Sequence, residues 1–303
     1  MPFNFDEYSI YFHNSRHMTQ TIDDLIQFAL QEDCPTSDIS SLGAFPDTHK
    51  SKAKLIAKEP GIFYGHALSK TLIETVGNIQ SPHIPSDGTP FKIGDELISL
   101  EGQTLSILRL ERVLLNFLQR LCGISTITNS YVSALNNSKI KILDTRKTTP
   151  LFRELEKGAV VAGGGYNHRF SLSDMVLLKE NHLTAIFDSG GEEALTQFLI
   201  KTRQQHPDVQ IEIEIETLDQ LRHFPLDLVD IIMLDNMSLS DIELGINICK
   251  DRGLNAEIEL SGNIELTSIS QYSSLSIDRL SIGRLTHSVK AIDLSLLLET
   301  VTD

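Results

Sequence analysis

The chain has 303 residues, which is enough for one large α/β domain and a smaller one. Its 26 Lys and Arg stand against 41 Asp and Glu, and the net charge of −15 disfavours nucleic acid and anionic lipid as partners. No apolar run approaches membrane-spanning length, and the first residues lack a signal-peptide pattern. Three scattered cysteines in no CxxC pair argue against disulfides, so we expect a cytoplasmic protein.

The first third of the chain predicts a small α+β domain. Residues 1–20 are predicted to be an extension, and Thr21 is predicted to cap a helix whose apolar residues recur at helical spacing. Between Ala53 and Leu110, short runs broken by Pro and Gly predict strands. A strongly apolar helix is predicted from Leu110 to Leu121, with Arg112 on its polar face.

Beyond this helix, β-rich runs alternate with helical stretches, which is typical of a parallel sheet or barrel. The runs are Lys139–Leu143, Ala159–Ala162, Met175–Leu178, Val209–Ile215, Val229–Leu234, Glu257–Leu260 and Arg279–Ile282. Polar motifs follow most of them. Because the carboxyl ends of barrel strands open on one face, we expect these motifs to converge on one site.

Five basic residues lie in the stretch around the triple glycine Gly163–Gly165. A single Lys or Arg is more often a surface ion-pair partner, but a group of them near strand ends predicts a pocket for a multiply charged anion. The glycines allow close backbone approach. The five are Arg146, Lys147, His168, Arg169 and Lys179.

The run from Val209 to Glu216 alternates apolar and polar residues, which puts Glu212, Glu214 and Glu216 on one face. The alternative to a barrel strand is an edge strand with a solvated acidic face. In a barrel these carboxylates line the interior, and with Asp235 they can face a developing positive charge or a divalent metal.

Two turns predict phosphate binding by backbone N–H groups, Ser261-Gly262-Asn263 and the segment from Gly283 to Ser288. Ordinary turns use the same residues, so each turn alone is weak evidence. The residues therefore predict a phosphorylated substrate, a second anionic substrate and acidic groups near the reacting centre. They include no nucleophile with a partnered base and no dinucleotide fingerprint.

With these motifs in family order, the chain strongly resembles the quinolinate phosphoribosyltransferases. Further matching segments are Ala29–Asp33, Glu111–Asn116, Leu118–Leu121, Gly123-Ile124, Leu172–Asp174, Lys179-Glu180-Asn181-His182 and Leu234-Asp235-Asn236. The resemblance implies an N-terminal α/β sandwich of residues 21–122 and an incomplete, open α/β barrel of residues 123–288. A helix at about 289–303 is expected to pack back on the first domain.

The resemblance also implies a homodimer, or a higher assembly, in which Arg112 reaches into the partner's active site. Quinolinate and phosphoribosyl pyrophosphate are the implied substrates, with Mg²⁺ as cofactor, bound mostly through the substrate, and Glu214 and Asp235 as its protein ligands. Lys147, Glu214 and Asp235 are the implied catalytic residues. The quinolinate carboxylates are assigned to Arg146, His168, Arg169 and Lys179. Further substrate contacts are assigned to Thr145, Lys147, Ser261, Gly262, Asn263, Gly283, Arg284 and Leu285.

The chain departs from the family pattern at Ser37–Ser40 and at Leu151, where a glycine is frequent. A related family linked to molybdenum transport shares the triple glycine, but it typically has proline where this chain has Asn167. A phosphoribosyltransferase that uses nicotinate or another small anion, and a non-catalytic anion sensor, are the alternative functions.

Overall fold

The computed structural model describes residues 15–300, with side-chain surroundings from Ile22 to Glu299. Most of the predicted extension, residues 1–14, lies outside the described residues. The chain divides into two compact units. The first holds the described parts of Met1–Thr126 and Lys290–Asp303 together with Thr149–Ala162, and the second holds Ile127–Thr148 and Gly163–Val289. No helix among the described residues is long and apolar enough to cross a bilayer.

The helices are α1 (Ser15–Asp33), α2 (Ile39–Ala44), α3 (His66–Val76), α4 (Thr104–Leu135), α5 (Arg153–Ala162), α6 (Glu180–Gln205), α7 (Leu218–His223), α8 (Leu239–Asp251) and α9 (Arg284–His287). The strands are β1 (Lys50–Ala57), β2 (Gly61–Ile62), β3 (Ile79–His83), β4 (Pro90–Phe91), β5 (Glu96–Gln103), β6 (Lys141–Leu143), β7 (Val176–Leu178), β8 (Ile211–Ile215), β9 (Ile231–Asp235), β10 (Glu257–Ser261), β11 (Arg279–Ser281) and β12 (Leu294–Thr300).

The first unit is built on an antiparallel sheet with strand order β12-β1-β5-β3 and a short β2-β4 ribbon. In β1, Ala53, Leu55 and Ala57 are buried while the lysines between and before them point outward. This alternation gives the sheet one apolar face and one solvated face. The predicted α+β region therefore folds as expected. Helix α1 begins at Ser15, so Thr21 lies inside the helix and does not cap it.

The predicted C-terminal helix at 289–303 is wrong, because Leu294–Thr300 forms strand β12. This strand pairs antiparallel with β1, from Ala57 opposite Leu294 to Ser51 opposite Thr300. Pairing satisfies backbone groups that an edge strand would otherwise leave open. A partner strand far away in the sequence overrides the local preference of a leucine-rich segment.

The predicted apolar helix is confirmed as part of α4, which extends over 32 residues. Leu110, Leu114, Leu118 and Leu121 are fully buried along one side, and Arg112 is exposed. The residues of α4 up to Thr126 belong to the first unit and the later ones to the second.

The run Ala159–Ala162, predicted as a strand, is the last turn of helix α5. Within the first unit, the fully buried Glu156 of α5 accepts hydrogen bonds from Arg120 Nε at 2.8 Å and Nη2 at 2.6 Å. Glu156 also accepts from the Thr149 N–H at 3.2 Å. These contacts stabilise the helical conformation of α5. The sequence pattern did not predict it, because the periodicity of four residues cannot distinguish a helix from a strand.

Leu151, at the family's frequent glycine position, has a left-handed backbone with φ of +66° and an exposed side chain. Glycine adopts this conformation without steric cost, whereas leucine is strained there. At position 151 this chain therefore has a leucine with a strained backbone, where a glycine would adopt the same turn without strain.

The second unit contains a six-stranded, all-parallel sheet with order β6-β11-β10-β9-β8-β7. Beside β6, the Tyr166 N–H donates to the Ile142 carbonyl at 2.7 Å, and the Asp144 N–H donates to the Tyr166 carbonyl at 3.2 Å. Strands β6 and β7 remain at the two ends of the sheet, so the barrel is open as expected. All five residues of β8 are buried, which forces two glutamates into the interior.

We predict that Arg120→Ala lowers the free energy of unfolding by about 2 kcal/mol or more, because it leaves the buried Glu156 carboxylate without its guanidinium. Urea denaturation followed by circular dichroism measures this change. The control is Lys70→Ala, which removes a 4.0 Å ion pair with Glu74 between side chains that are about two-thirds exposed. Its expected cost is below about 0.5 kcal/mol. Equal effects of the two substitutions would contradict the prediction.

Candidate active site

The register of the parallel sheet brings the carboxyl ends of its strands together. Ile215 pairs with Leu234, and Asp235 pairs with Ser261. Ser261 in turn pairs with Ser281, and Ser281 with Leu143, the residue before Asp144. The polar motifs predicted to converge therefore end at a common level along β6, β11, β10, β9 and β8. Lys179 follows β7 at the other end of the sheet.

An acidic group lies where β8 and β9 end. Carboxylate oxygens of Glu214, Glu216 and Asp235 lie within 4.8 Å of one another. Glu214 is buried, whereas Glu216 is exposed. Partial loss of hydration raises the pKa of Glu216, and the negative charges of Glu180, Glu214 and Asp235 raise it further. Oxygen donors at this spacing suit a hard divalent cation such as Mg²⁺.

Lys179 reaches this acidic group, since its ammonium contacts a Glu214 carboxylate oxygen. About half of the Lys179 side chain is exposed, whereas the Glu214 side chain is almost covered. The ion pair thus joins the basic motif after β7 to the acidic residues of β8. A charged ligand entering here can compete for Lys179, because the lysine is the accessible partner.

Arg146 and Arg169 form a second cationic site in the same unit. Arg146 Nε is buried and makes no hydrogen bond among the described residues. Arg169 donates through Nη1 to the Met175 carbonyl at 3.1 Å. Burial lowers the pKa of Arg169, and the positive charge of Arg146 lowers it further. Two guanidinium groups that repel each other and have spare donors suit a bound carboxylate.

His168 is buried beside these arginines, and both of its ring nitrogens face protein groups. Nδ1 accepts a hydrogen bond from the Arg169 backbone N–H at 2.8 Å. Nε2 lies 3.1 Å from Glu212 Oε2 and 3.4 Å from Glu259 Oε1. The burial of His168 by itself lowers its pKa, but Glu212 and Glu259 outweigh this and raise the pKa to about 9.

Glu259 and Ser281 were missed by the sequence predictions. Both are buried on the sheet interior, and Ser281 Oγ donates to Glu259 Oε1. The signal was present, since Glu257-Ile258-Glu259-Leu260 alternates like the run around Glu212. Asp144, predicted only as part of a motif, is fully buried and accepts the His168 N–H at 2.9 Å.

The turn after β10 is built on backbone conformations that glycine and asparagine favour. Gly262 has φ of +94° and Asn263 of +45°, and Asn236 after β9 has φ of +54°. The Asn263 amide donates to Asn236 Oδ1 at 3.3 Å, and the Asn236 amide donates to Asp235 Oδ2 at 2.5 Å. The predicted phosphate turn is thereby linked to a carboxylate of the acidic group.

The turn after β11 lies against Lys147. A Cβ on Gly283 would come within 3.1 Å of Lys147 Cδ, and Thr286 Oγ1 donates to the Lys147 carbonyl at 2.8 Å. Lys147 in turn donates its backbone N–H to Thr145 Oγ1 at 3.1 Å. Glycine at position 283 thus leaves room for the lysine side chain.

The structure makes no link between three further predicted substrate contacts and the acidic and cationic clusters described within the second unit. Arg284 is half-exposed and forms a 2.7 Å ion pair with Glu265. Leu285 is fully buried, so it can offer a ligand only backbone groups. Arg112 lies in the first unit, exposed on α4.

We predict that Gly262→Ala lowers the free energy of unfolding by about 3 kcal/mol, from left-handed strain plus a steric clash. The added Cβ would lie 2.8 Å from the Asn236 backbone nitrogen. Gly253→Ala is the matched control, because φ is +66° there but no atom lies within 4 Å of the added Cβ. Gly253→Ala therefore measures the backbone strain alone, and we expect it to lower the free energy of unfolding by about 1 kcal/mol. Chemical denaturation compares the two, and equal losses would rule out the clash.

Comparison with known proteins agrees with this architecture. The family model described as "Quinolinate phosphoribosyl transferase, C-terminal domain" matches residues 124–297, and the corresponding N-terminal domain model matches residues 38–122. The chain is 39% identical over 274 residues to the probable nicotinate-nucleotide pyrophosphorylase (carboxylating) of Bacillus subtilis (strain 168). That match covers 90% of this chain and 91% of the relative.

A second relative is quinolinate phosphoribosyltransferase (decarboxylating) 1 of Nicotiana glauca, 34% identical over 302 residues, covering 94% of this chain and 84% of the relative. Among solved structures, NadC from Streptococcus pyogenes is similar with a TM-score of 0.83 and 41% identity. That match covers 93% of this chain and 98% of the other. The chain belongs to the quinolinate phosphoribosyltransferase family.

Proposed function

We propose that the protein transfers the phosphoribosyl group of phosphoribosyl pyrophosphate to quinolinate and releases pyrophosphate and CO₂. The product is nicotinate mononucleotide, for de novo NAD biosynthesis. The observation that carries the proposal is the Lys179–Glu214 pair, which joins a cationic motif to an acidic one at the carboxyl ends of parallel strands. One reactant is an aromatic dicarboxylate and the other becomes cationic at its ribose, so the reaction needs both signs of charge.

Quinolinate carries two adjacent carboxylates. Arg146 and Arg169 supply guanidinium donors for them, and the accessible Lys179 adds a third cation. Guanidinium groups bind carboxylates through paired, charge-assisted hydrogen bonds. Nicotinate, with one carboxylate, would leave part of this positive charge without a partner, which disfavours the rival assignment.

Phosphoribosyl pyrophosphate is assigned to the acidic group and the two turns. Glu214 and Asp235 lie close enough together to orient the ribose hydroxyls and to stabilise positive charge on the sugar. Backbone N–H groups of the turns at Ser261–Asn263 and Gly283–Leu285 suit the phosphate groups, with Lys147 against the second turn. Thr145, bonded to the Lys147 N–H, supports this segment. Arg284 stays a predicted contact.

Magnesium is the proposed cofactor, and the oxygen donor set of Glu214, Glu216 and Asp235 fits it. When bound, Mg²⁺ would neutralise charge on the departing pyrophosphate. The protein groups position the two substrates and stabilise the charges that develop. They hold the pyridine nitrogen near the ribose carbon from which pyrophosphate leaves, with Glu214 and Asp235 balancing the charge of the sugar.

Decarboxylation follows from the substrate's own chemistry. Once the ring nitrogen is quaternary and positive, the adjacent carbon can lose its carboxylate as CO₂, because the resulting carbanion lies beside N⁺. This carbanion then takes a proton from solvent, which gives the C–H of nicotinate mononucleotide. No protein nucleophile is needed for either step. An anion sensor would need the cations, but it would have no use for an acidic group opposite them.

We expect the purified protein to convert quinolinate and phosphoribosyl pyrophosphate, with Mg²⁺, into nicotinate mononucleotide, CO₂ and pyrophosphate. Nicotinate should yield no nucleotide, since it lacks the second carboxylate. Liquid chromatography with mass spectrometry identifies the nucleotide, and ¹⁴C-carboxyl release measures CO₂. Nucleotide formation from nicotinate with none from quinolinate would refute the assignment.

Glu214→Gln provides the control that activity belongs to this site. The substitution should lower turnover by about 10²–10³-fold, because the negative charge of Glu214 stabilises the ribose most when the ribose becomes cationic. Glu243→Gln, on the exposed part of α8, makes the same substitution away from the site and should retain activity. If Glu214→Gln retains full turnover, the proposed role of that carboxylate is wrong.

We also propose a cytoplasmic homodimer in which each active site takes Arg112 from the other subunit. The exposed position of Arg112 on α4, opposite a buried apolar stripe, supports its availability to a partner. Cys34, Cys122 and Cys249 are free, which supports a reducing compartment.

Mixing two inactive variants tests the shared site. In a mixed dimer of Arg112→Ala and Lys179→Ala, one site carries both defects and the other carries neither. Random pairing should therefore restore about a quarter of wild-type activity. Initial-rate assays after subunit exchange measure the recovery.

Exchange itself is checked by a fluorescence-transfer label on each variant, and each variant mixed with itself is the negative control. Exchange without recovered activity would mean that Arg112 acts within its own chain or not at all.

A further inference from the structure

The two turns assigned to phosphate binding are joined by an ion pair that the proposed function leaves without a role. Arg284 Nη2, in the turn after β11, donates to Glu265 Oε1 at 2.7 Å. Glu265 lies two residues past the turn Ser261–Asn263. Strands β10 and β11 are neighbours, and their pairing ends with Ser261 opposite Ser281. The ion pair therefore bridges the two turns beyond the point where the strand pairing ends.

Each partner of this ion pair follows or precedes a residue that is fixed in the interior of the second unit. The carbonyl of Ile264, next to Glu265, accepts a hydrogen bond at 3.2 Å from the hydroxyl of the fully buried Tyr131. Leu285, next to Arg284, is fully buried. An exposed ion pair usually contributes little, partly because two long side chains must be ordered to form it. Here the backbone at both ends is already held, so only the side chains remain to be ordered.

The turns also carry open backbone donors. The N–H groups of Gly262 and Asn263 in the first turn, and of Gly283 and Arg284 in the second, donate no hydrogen bond within the described part of the chain. Phosphate groups accept hydrogen bonds from N–H groups of this kind at the mouths of α/β barrels. Hydrogen bonds from N–H to oxygen span only about 2.7–3.2 Å. Donors on two separate turns can therefore bind one phosphate group together only if the spacing between the turns is fixed.

The Arg284 guanidinium has two candidate roles, as a direct ligand of the phosphate or as a lasting partner of Glu265. Both side chains of the pair are about half exposed. If the guanidinium left Glu265 for the phosphate, the carboxylate would remain near an incoming anion without its counter-charge, and the two negative groups would repel each other. If the pair stays intact, that charge is neutralised and the turns stay joined. The second role therefore costs less electrostatically.

We infer that the Arg284–Glu265 ion pair is a clasp that holds the two turns at the spacing required by one phosphate group. Arg284 is then a positioning residue, whose guanidinium does not touch the substrate and whose predicted substrate contact is made by its backbone N–H. The inference rests on the proposed function, because the phosphate group belongs to phosphoribosyl pyrophosphate. A clasp needs opposite charges at positions 284 and 265, but it does not matter which position carries the cation.

Two double variants that keep the net charge of the protein test the clasp, with phosphoribosyl pyrophosphate affinity measured by calorimetry in the absence of quinolinate. Arg284→Gln with Glu265→Gln removes the ion pair and should weaken binding about fivefold. Arg284→Glu with Glu265→Arg restores the pair in reverse and should bind within about twofold of the wild type. If Arg284 is a direct ligand, the reversed variant binds at least as weakly as the neutral one, and that result would overturn the inference. Unchanged affinity of the neutral variant would overturn it too.

The matched control is Lys52→Gln with Glu101→Gln, which removes an ion pair of the first unit with the same 2.7 Å distance and with side chains that are 52% and 48% exposed. It should leave the affinity for phosphoribosyl pyrophosphate within about twofold. Kinetics separates positioning from general damage to the fold. The neutral variant at positions 284 and 265 should raise the KM for phosphoribosyl pyrophosphate, whereas kcat and the KM for quinolinate should stay within about twofold. An equal rise in both KM values would contradict a clasp between the phosphate turns.

A crystal structure of the wild-type protein with phosphoribosyl pyrophosphate gives a measurement that does not depend on whether the variants fold. We expect the Arg284 guanidinium to remain within about 3 Å of Glu265 and the N–H groups of both turns to contact one phosphate group. A guanidinium bonded to the phosphate would overturn the inference. If the wild type binds no phosphoribosyl pyrophosphate, the proposed function and the inference both fail. If it binds and the two double variants are equally weakened, only the inference fails.

Discussion

Buried carboxylates on the inner face of the parallel sheet are the constraint around which the second unit is organised. Glu212, Glu214 and Glu259 alternate with apolar residues on strands buried on both faces, so each glutamate needs a compensating partner. His168 lies against Glu212 and Glu259, and Lys179 lies against Glu214. The basic motifs between β6 and β8 are thus held where the strands place the acids.

The two kinds of partner give the two carboxylate groups different properties. His168 is covered, and its Nε2 lies close to both Glu212 and Glu259, so the Glu212–Glu259 end of the interior is closed. Lys179 is half-exposed, so the Glu214 end stays open to a charged ligand. The same residue type on the same sheet face is therefore enclosed beside a buried histidine at one level and paired with an accessible lysine at the next. The two groups differ because Glu212 and Glu259 lie deeper below the strand ends than Glu214.

Local patterns were sufficient where strands carry regular alternation or a helix is long. The alternation around Glu214 and the stripe of α4 gave correct elements, and six of the seven predicted β-rich runs form the parallel sheet. The errors fall on short or one-sided segments. Ala159–Ala162 is helical because Glu156 ties α5 to Arg120, and Leu294–Thr300 is extended because β1 offers it a partner. Neither contact is visible within a local window.

The sequence by itself determined the chemical inventory and its order along the chain: cations beside a triple glycine, acids at strand ends, and small residues in two late turns. It also determined the family, since these motifs recur together. Only the tertiary structure decided which of these groups face each other. Side-chain direction depends on strand register and on distant partners, so the histidine at position 168 meets Glu259, over ninety residues away, through a contact that spacing along the chain could not predict.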